Sequence, residues 1–145
     1  MKYSCKIEIN KPIDHIIELF DDADNLKKWM KGLEHFEHLS GTAGQPGAQS
    51  RLIFNEKGRR IEMIETITAR DLPESFAGKY EINGIENYIN NSFMALDENR
   101  TLYTTENEFI FSGLMKILAI FMKRMFISQS MKHMKNFKTF AEKQN

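Results

Sequence analysis

The sequence predicts an α+β fold: one strand, two short helices, six further antiparallel strands and a long C-terminal helix. Three observations predict it. Residues 34–111 keep a hydrophobic period of mostly two, punctuated by turn signals every ten to fifteen residues. The connections between those runs are short, and strands joined by short loops are antiparallel neighbours. Helically spaced apolar residues occupy the flanks: Ile13, Ile16, Ile17 and Phe20 before the strands, and a stripe from Met115 to Phe140 after them.

The first strand is Lys2–Asn10, where Tyr3, Cys5, Ile7 and Ile9 alternate with Ser4, Lys6 and Glu8. Pro12 suits the first turn of a helix, where its missing N–H goes unused, and Asp14 favours the positive end of the helix dipole. A second short helix starts near Asp21 or Asp22, carries Leu26 and Trp29, and exits at Gly32. The next strands are Glu34–Ser40, Gln49–Asn55, Arg59–Arg70, Ser75–Asn83, Ile85–Leu96 and Thr101–Phe111. Asn83-Gly84 is the strongest turn signal, reading as a type I′ hairpin with positive φ at both central residues.

Ser112–Lys143 reads as helix, with Met115, Ala119, Met122, Phe126, Ser130, His133, Phe137 and Phe140 along one stripe. Its second half is amphipathic. Its first half is apolar nearly all round, because Leu114, Ile117, Leu118, Ile120 and Phe121 lie off the stripe. Five such side chains need a second contact surface. A lid over a cavity or a homodimer contact is the first expectation; a transient membrane contact, favoured by Lys116, Lys123 and Arg124, is the second.

At 145 residues and 17.0 kDa the chain fits a single domain, 1–145, large enough to fold without metal or disulfide staples. Twenty basic residues balance twenty acidic ones, and no basic patch is interleaved with aromatics on a strand, which excludes an electrostatic nucleic-acid binder. The balance is uneven: residues 113–145 hold seven basic residues and only Glu142 as an acid, a net +6 that leaves −6 on the rest. The N-terminus is charged where a signal peptide has an apolar core, and the apolar run Ile117–Met122 is six residues against the ~20 that span a bilayer. A cytoplasmic protein is expected.

The order of elements resembles the START-like, helix-grip (SRPBCC) superfamily, and within it the polyketide cyclase/dehydrase-like proteins. Three stretches carry the resemblance: Ile7–Asp14 with Leu19-Phe20-Asp21 and Asn25–Trp29; the glycine-rich loop Gly41–Ala48; and the helix end Met131–Phe137. Many such proteins have proline two residues after the tryptophan, where this chain has Lys31. The resemblance implies a seven-stranded antiparallel sheet curled around the C-terminal helix, with a hydrophobic cavity between them bordered by the glycine-rich loop. It implies binding of a lipid, sterol, polyketide or hormone, and in some members catalysis.

Strand alternation nominates the cavity lining. Met63 and Glu65 share a face with Ile61 and Ile67; Tyr80 shares one with Phe76 and Ile82; Asn87, Asn91 and Phe93 form a third set, Tyr103 and Asn107 a fourth. Trp29, beside the mouth, Phe54, and Leu118, Met122 and Phe126 from the helix complete the candidates. Such a lining, apolar with scattered hydrogen-bonding groups, is how small-molecule pockets are built. A carboxylate at Glu65 needs a partner or a proton if buried, unless a bulge turns it outward. The residues give isolated polar groups and no titratable pair. Carriage of a hydrophobic small molecule is therefore the leading function, and a cyclase or dehydratase using Glu65 or a tyrosine is the alternative. A protein or membrane interaction module working through residues 114–122 is the third reading.

No metal or cofactor is expected. His35 and His38 fall on opposite strand faces, His15 lacks a second ligand at helical spacing, and His133 on the helix stripe reads as a packing residue. Gly41, Gly44 and Gly47 lead into a strand rather than a helix N-terminus, so they serve a sharp turn and not a phosphate.

Overall fold

The computed structural model describes residues 1–145. The elements run β1 (Lys2–Ile9), α1 (Ile13–Phe20), a 3-10 turn (Ala23–Asn25), α2 (Leu26–Trp29), β2 (Leu33–Ser40), β3 (Gln49–Glu56), β4 (Arg59–Asp71), β5 (Ser75–Ile82), β6 (Ile85–Asp97), β7 (Arg100–Phe111) and α3 (Met115–Glu142). All seven strands form one antiparallel sheet in the order β1-β7-β6-β5-β4-β3-β2. Five pairings follow from hairpins. The sixth joins β1 to β7, with Lys2 opposite Glu108 and Ile9 opposite Thr101, and leaves β1 and β2 as the edges.

The turns correct one expectation. Asn83-Gly84 does link β5 to β6, flanked by the pair Ile82 and Ile85, but only Gly84 has a positive φ. The type I′ signature belongs instead to Lys57-Gly58, with φ values of 51° and 82° between the paired Glu56 and Arg59. The Asn55 side chain stabilises it by accepting from the Gly58 N–H at 3.0 Å. At the helix starts, Pro12 occupies the N-cap of α1 rather than its first turn, and Asp22 caps the 3-10 turn through the Asp24 N–H at 2.9 Å.

The sheet and α3 enclose two regions of different character. One is a solid core built from Cys5 and Ile9 of β1, Ile16 of α1, Trp29 of α2, Phe93, Tyr103, and Met134, Phe137 and Ala141 of α3. Phe20 is its aromatic hub, with ring centroids 4.9 Å from Phe93, 5.8 Å from Phe137 and 6.3 Å from Trp29. Trp29 is thus buried in this core rather than standing at an opening. The other region lies toward the β3–β4 and β5–β6 hairpins, where the sheet and α3 separate and a cavity remains.

Candidate ligand cavity

The cavity has a volume of about 470 Å³, and 23 of its 36 lining residues are hydrophobic. That volume lies in the range of small-molecule sites. Strands β2–β7 supply its concave wall, while Tyr3 of β1, Met125, Phe126, Gln129, Ser130, His133 and Met134 of α3, and Leu26, Trp29 and Met30 around α2, close the rest. Ala43 and Gly44 of the glycine-rich loop border it. Gly41 has no room for a side chain there, since a Cβ would come within 2.8 Å of the Ala48 Cα. Arg70 ties this rim down, donating to the Asp21 carboxylate at the end of α1 and to the Gly44 carbonyl at 3.2 Å.

Among the candidates, Trp29, Phe54, Met63, Glu65, Tyr80, Asn87, Asn91, Tyr103, Asn107 and Phe126 line the cavity. Three do not. Phe93 lies on the correct face but inside the solid core, stacked on Tyr103 at 4.6 Å and edge-on to Phe20, which plugs that end. Leu118 and Met122 precede the point where α3 meets the cavity: Leu118 is half exposed, and the helix first contributes at Met125. His133, read from sequence as a packing residue, is a lining residue instead, with its Nε2 2.8 Å from the Gln129 side-chain nitrogen. Tyr3, Phe20, Gln129 and Ser130 also escaped selection. The helix stripe already carried Ser130 and His133 as polar interruptions, and that was the available signal.

The polar groups of the cavity are organised, which corrects the reading of isolated groups. Tyr80 donates its hydroxyl to the Glu65 carboxylate at 2.5 Å. The two are directly opposed across β4 and β5, and Asn87 stands next in line on β6. Ser50 of β3 stands opposite Glu65 on its other side, so Ser50, Glu65, Tyr80 and Asn87 form a polar row crossing four strands of a largely apolar wall. Asn87 Oδ1 is buried without a partner. Elsewhere the amides are engaged: Tyr103 donates to Asn91 Oδ1 at 2.7 Å, Asn91 donates to the Phe76 carbonyl, and Asn107 donates to Thr105. Tyr3 shares a 2.7 Å hydrogen bond with Ser130, pinning β1 to α3.

Burial dominates the electrostatics of the row. It raises the Glu65 carboxyl above its ordinary pKa, outweighing the lowering by the Tyr80 hydrogen bond. Burial, reinforced by the Glu65 charge, holds the Tyr80 hydroxyl well above its usual value, and burial raises Tyr103 as well. His133 is shifted down by burial, with Glu56 opposing and Lys132 adding to the shift. A carboxyl raised in this way can hold or release a proton within an apolar enclosure, and when protonated it can donate a hydrogen bond. No group of three or more His, Cys, Asp and Glu side chains is gathered for a metal ion.

A seven-stranded antiparallel sheet gripping a long C-terminal helix, with two short helices after β1 and a cavity between, is the helix-grip fold. Solved structures agree along nearly the whole chain. An aromatase/cyclase, Zhui, from Streptomyces sp. R1128 superposes with a TM-score of 0.79 at 14% identity, covering 98% of this chain and 93% of that one. A START superfamily protein from Mycobacterium smegmatis gives 0.75 at 15% identity and 97% coverage of both chains. Truncated norcoclaurine synthase from Thalictrum flavum gives 0.75 at 10% identity, covering 100% of this chain and 95% of that one. The sequence matches no family model and no curated protein. At these identities the likeness carries the fold and leaves the chemistry to this chain's own residues.

Proposed function

We propose that the chain binds a small molecule with an apolar body and one hydrogen-bonding group, and carries it in the cavity without changing it. The observation that carries this reading is a largely apolar cavity of about 470 Å³ crossed by the polar row Ser50, Glu65, Tyr80 and Asn87, in which Asn87 Oδ1 has no partner. Apolar area drives entry, and the row selects the end of the ligand that bears a polar group. The unpartnered Asn87 Oδ1 calls for a hydrogen-bond donor. Ligands with a hydroxyl therefore fit better than pure hydrocarbons.

Titration with fatty acids, sterols and aromatic polyketide mimics, followed through the fluorescence of Trp29, is the direct test. Trp29 is the only tryptophan and a lining residue, so saturable binding is expected to change its emission. Absence of saturable binding across these classes overturns the carrier reading. Binding with an unchanged spectrum moves the ligand away from α2. Native mass spectrometry of protein purified from its host would identify a retained ligand.

The Glu65–Tyr80 pair favours one second reading, acid/base catalysis of a cyclisation or dehydration within the same cavity. Two of the structural neighbours are enzymes by name, an aromatase/cyclase and norcoclaurine synthase. Glu65→Gln separates the readings, since it leaves a carrier able to bind and abolishes turnover that depends on proton transfer at Glu65. Binding that survives with no product formed from any bound ligand supports carriage.

A further inference from the structure

The first half of α3 is exposed on its apolar side. Leu114, Ile117, Leu118, Ile120, Phe121 and Met125 keep 49–83% of their surface in contact with solvent, and nothing else in the chain covers them. At about 100° per residue, Leu114, Ile117, Leu118, Phe121 and Met125 fall within one arc of roughly 100°. Arg124 lies at the edge of that arc, while Lys116 and Lys123 lie on the far side of the helix, roughly 150–170° from the centre of the arc. All three cations are exposed and none forms an ion pair. No acidic residue occurs between Glu108 and Glu142. Monomeric soluble proteins rarely leave so large a contiguous apolar face uncovered.

We propose that this face docks on an anionic lipid bilayer and opens the cavity toward it. An apolar arc with an unpaired arginine at its edge and unpaired lysines on the opposite face is the pattern of a helix lying in a membrane interface. No helix here is long and apolar enough to cross a membrane, so the contact is one of lying on the surface. Charge selects the bilayer over a second copy of the chain. A two-fold dimer through this face would bring together two copies of a segment of net charge +6, whereas an anionic surface complements that charge. The face is also continuous with the cavity: Met125 is 54% exposed and lines it, followed by Phe126 and Gln129. A docked helix therefore sets the rim of the cavity at the lipid boundary. The transfer role rests on the carrier reading, while the docking itself does not.

Co-sedimentation with phosphatidylcholine vesicles, with and without phosphatidylserine, tests the docking. The wild type is expected to bind the phosphatidylserine vesicles more tightly, and added salt is expected to weaken that binding. Leu118→Asp with Phe121→Asp is expected to lower the affinity at least about tenfold, since two apolar anchors are lost and two like charges meet the surface. Lys123→Ala with Arg124→Ala should remove the preference for phosphatidylserine. These side chains are exposed, so the unfolding midpoint and the Trp29 response to apolar probes stay unchanged in both variants. Equal vesicle binding by wild type and variants overturns the proposal, as does its absence in the wild type. A wild-type dimer in light scattering that the Asp variant converts to monomer assigns the face to a second copy and likewise overturns it. Vesicle binding without any binding of apolar probes leaves the docking standing and removes the carrier reading.

Discussion

Phe137→Ala is expected to destabilise the protein by about 3–5 kcal/mol, the largest single loss available in this fold. Phe137 is fully buried and holds the C-terminal half of α3 against both short helices and the sheet. Its ring lies 5.1 Å from Trp29, 5.8 Å from Phe20 and Tyr103, and 6.4 Å from Phe140. Four rings in fixed edge-on and tilted arrangements cannot close around a missing fifth, so the vacated space persists as a cavity. Phe137 does not line the existing cavity, and the loss is one of stability rather than of ligand contact. For a chain of this length the melting temperature should fall by roughly 10 °C. Urea unfolding measures the free energy directly, and a change below about 1 kcal/mol would mean that this cluster is not what anchors α3.

Glu65→Gln is expected to stabilise the protein progressively as pH rises. Burial raises the Glu65 carboxyl above the ordinary value of 4.5, so the native state holds its proton more tightly than the unfolded chain does. Stability contributed by that proton is complete below 4.5 and is lost as pH rises through the raised value. Glutamine cannot titrate, and the variant escapes this loss, by up to about 1.4 kcal/mol for each pH unit inside the window. His133 acts with the opposite sign. Its lowered value makes the native state prefer the neutral ring, so stability is lost as pH falls below 6.5 toward that value. Melting temperatures of wild type and Glu65→Gln, compared from pH 4.5 upward, isolate the carboxyl because His133 is common to both. A difference that does not grow with pH would show that Glu65 ionises freely.

Alternation made much of the cavity wall legible. Ile61, Met63, Glu65 and Ile67 recur at period two, and the pleat alone sends all four to one side. Pairing was not legible, and the Glu65–Tyr80 hydrogen bond shows why. Asp71 pairs with Ser75 and Ala69 with Ala77, and an unbroken hairpin in that register would set Glu65 opposite Glu81. The register shifts by one residue between Ile67 and Ala69, bringing Tyr80 opposite Glu65 and also turning Arg70 to the side where it meets Asp21. A bulge inserts one unpaired residue, and no residue type at Thr68 or Ala69 announces it. Because the shift lies beyond Glu65, it leaves that side chain facing inward.

The limits of α3 follow the same division. Helical spacing identified the stripe from Met115 to Phe140, and the absence of breakers after Gly113 identified one long helix. Where the sheet stops supporting that helix is set by strand lengths and curvature, so Leu118 and Met122 read as wall residues although the wall begins at Met125.

The sequence by itself determined the order of elements, the antiparallel pairing of hairpin neighbours, the face of strand residues away from bulges, and the excess of apolar side chains on α3. These depend on local periodicity and on contacts between neighbouring elements. Only the tertiary structure decided that β1 closes onto β7, that one bulge joins Glu65 to Tyr80, that Phe20 fills one end of the groove while the other stays hollow, and that the first half of α3 is left uncovered. Each of these depends on how segments distant in the chain meet, and the free energy of such contacts resides in the geometry of the assembled pair rather than in either segment alone.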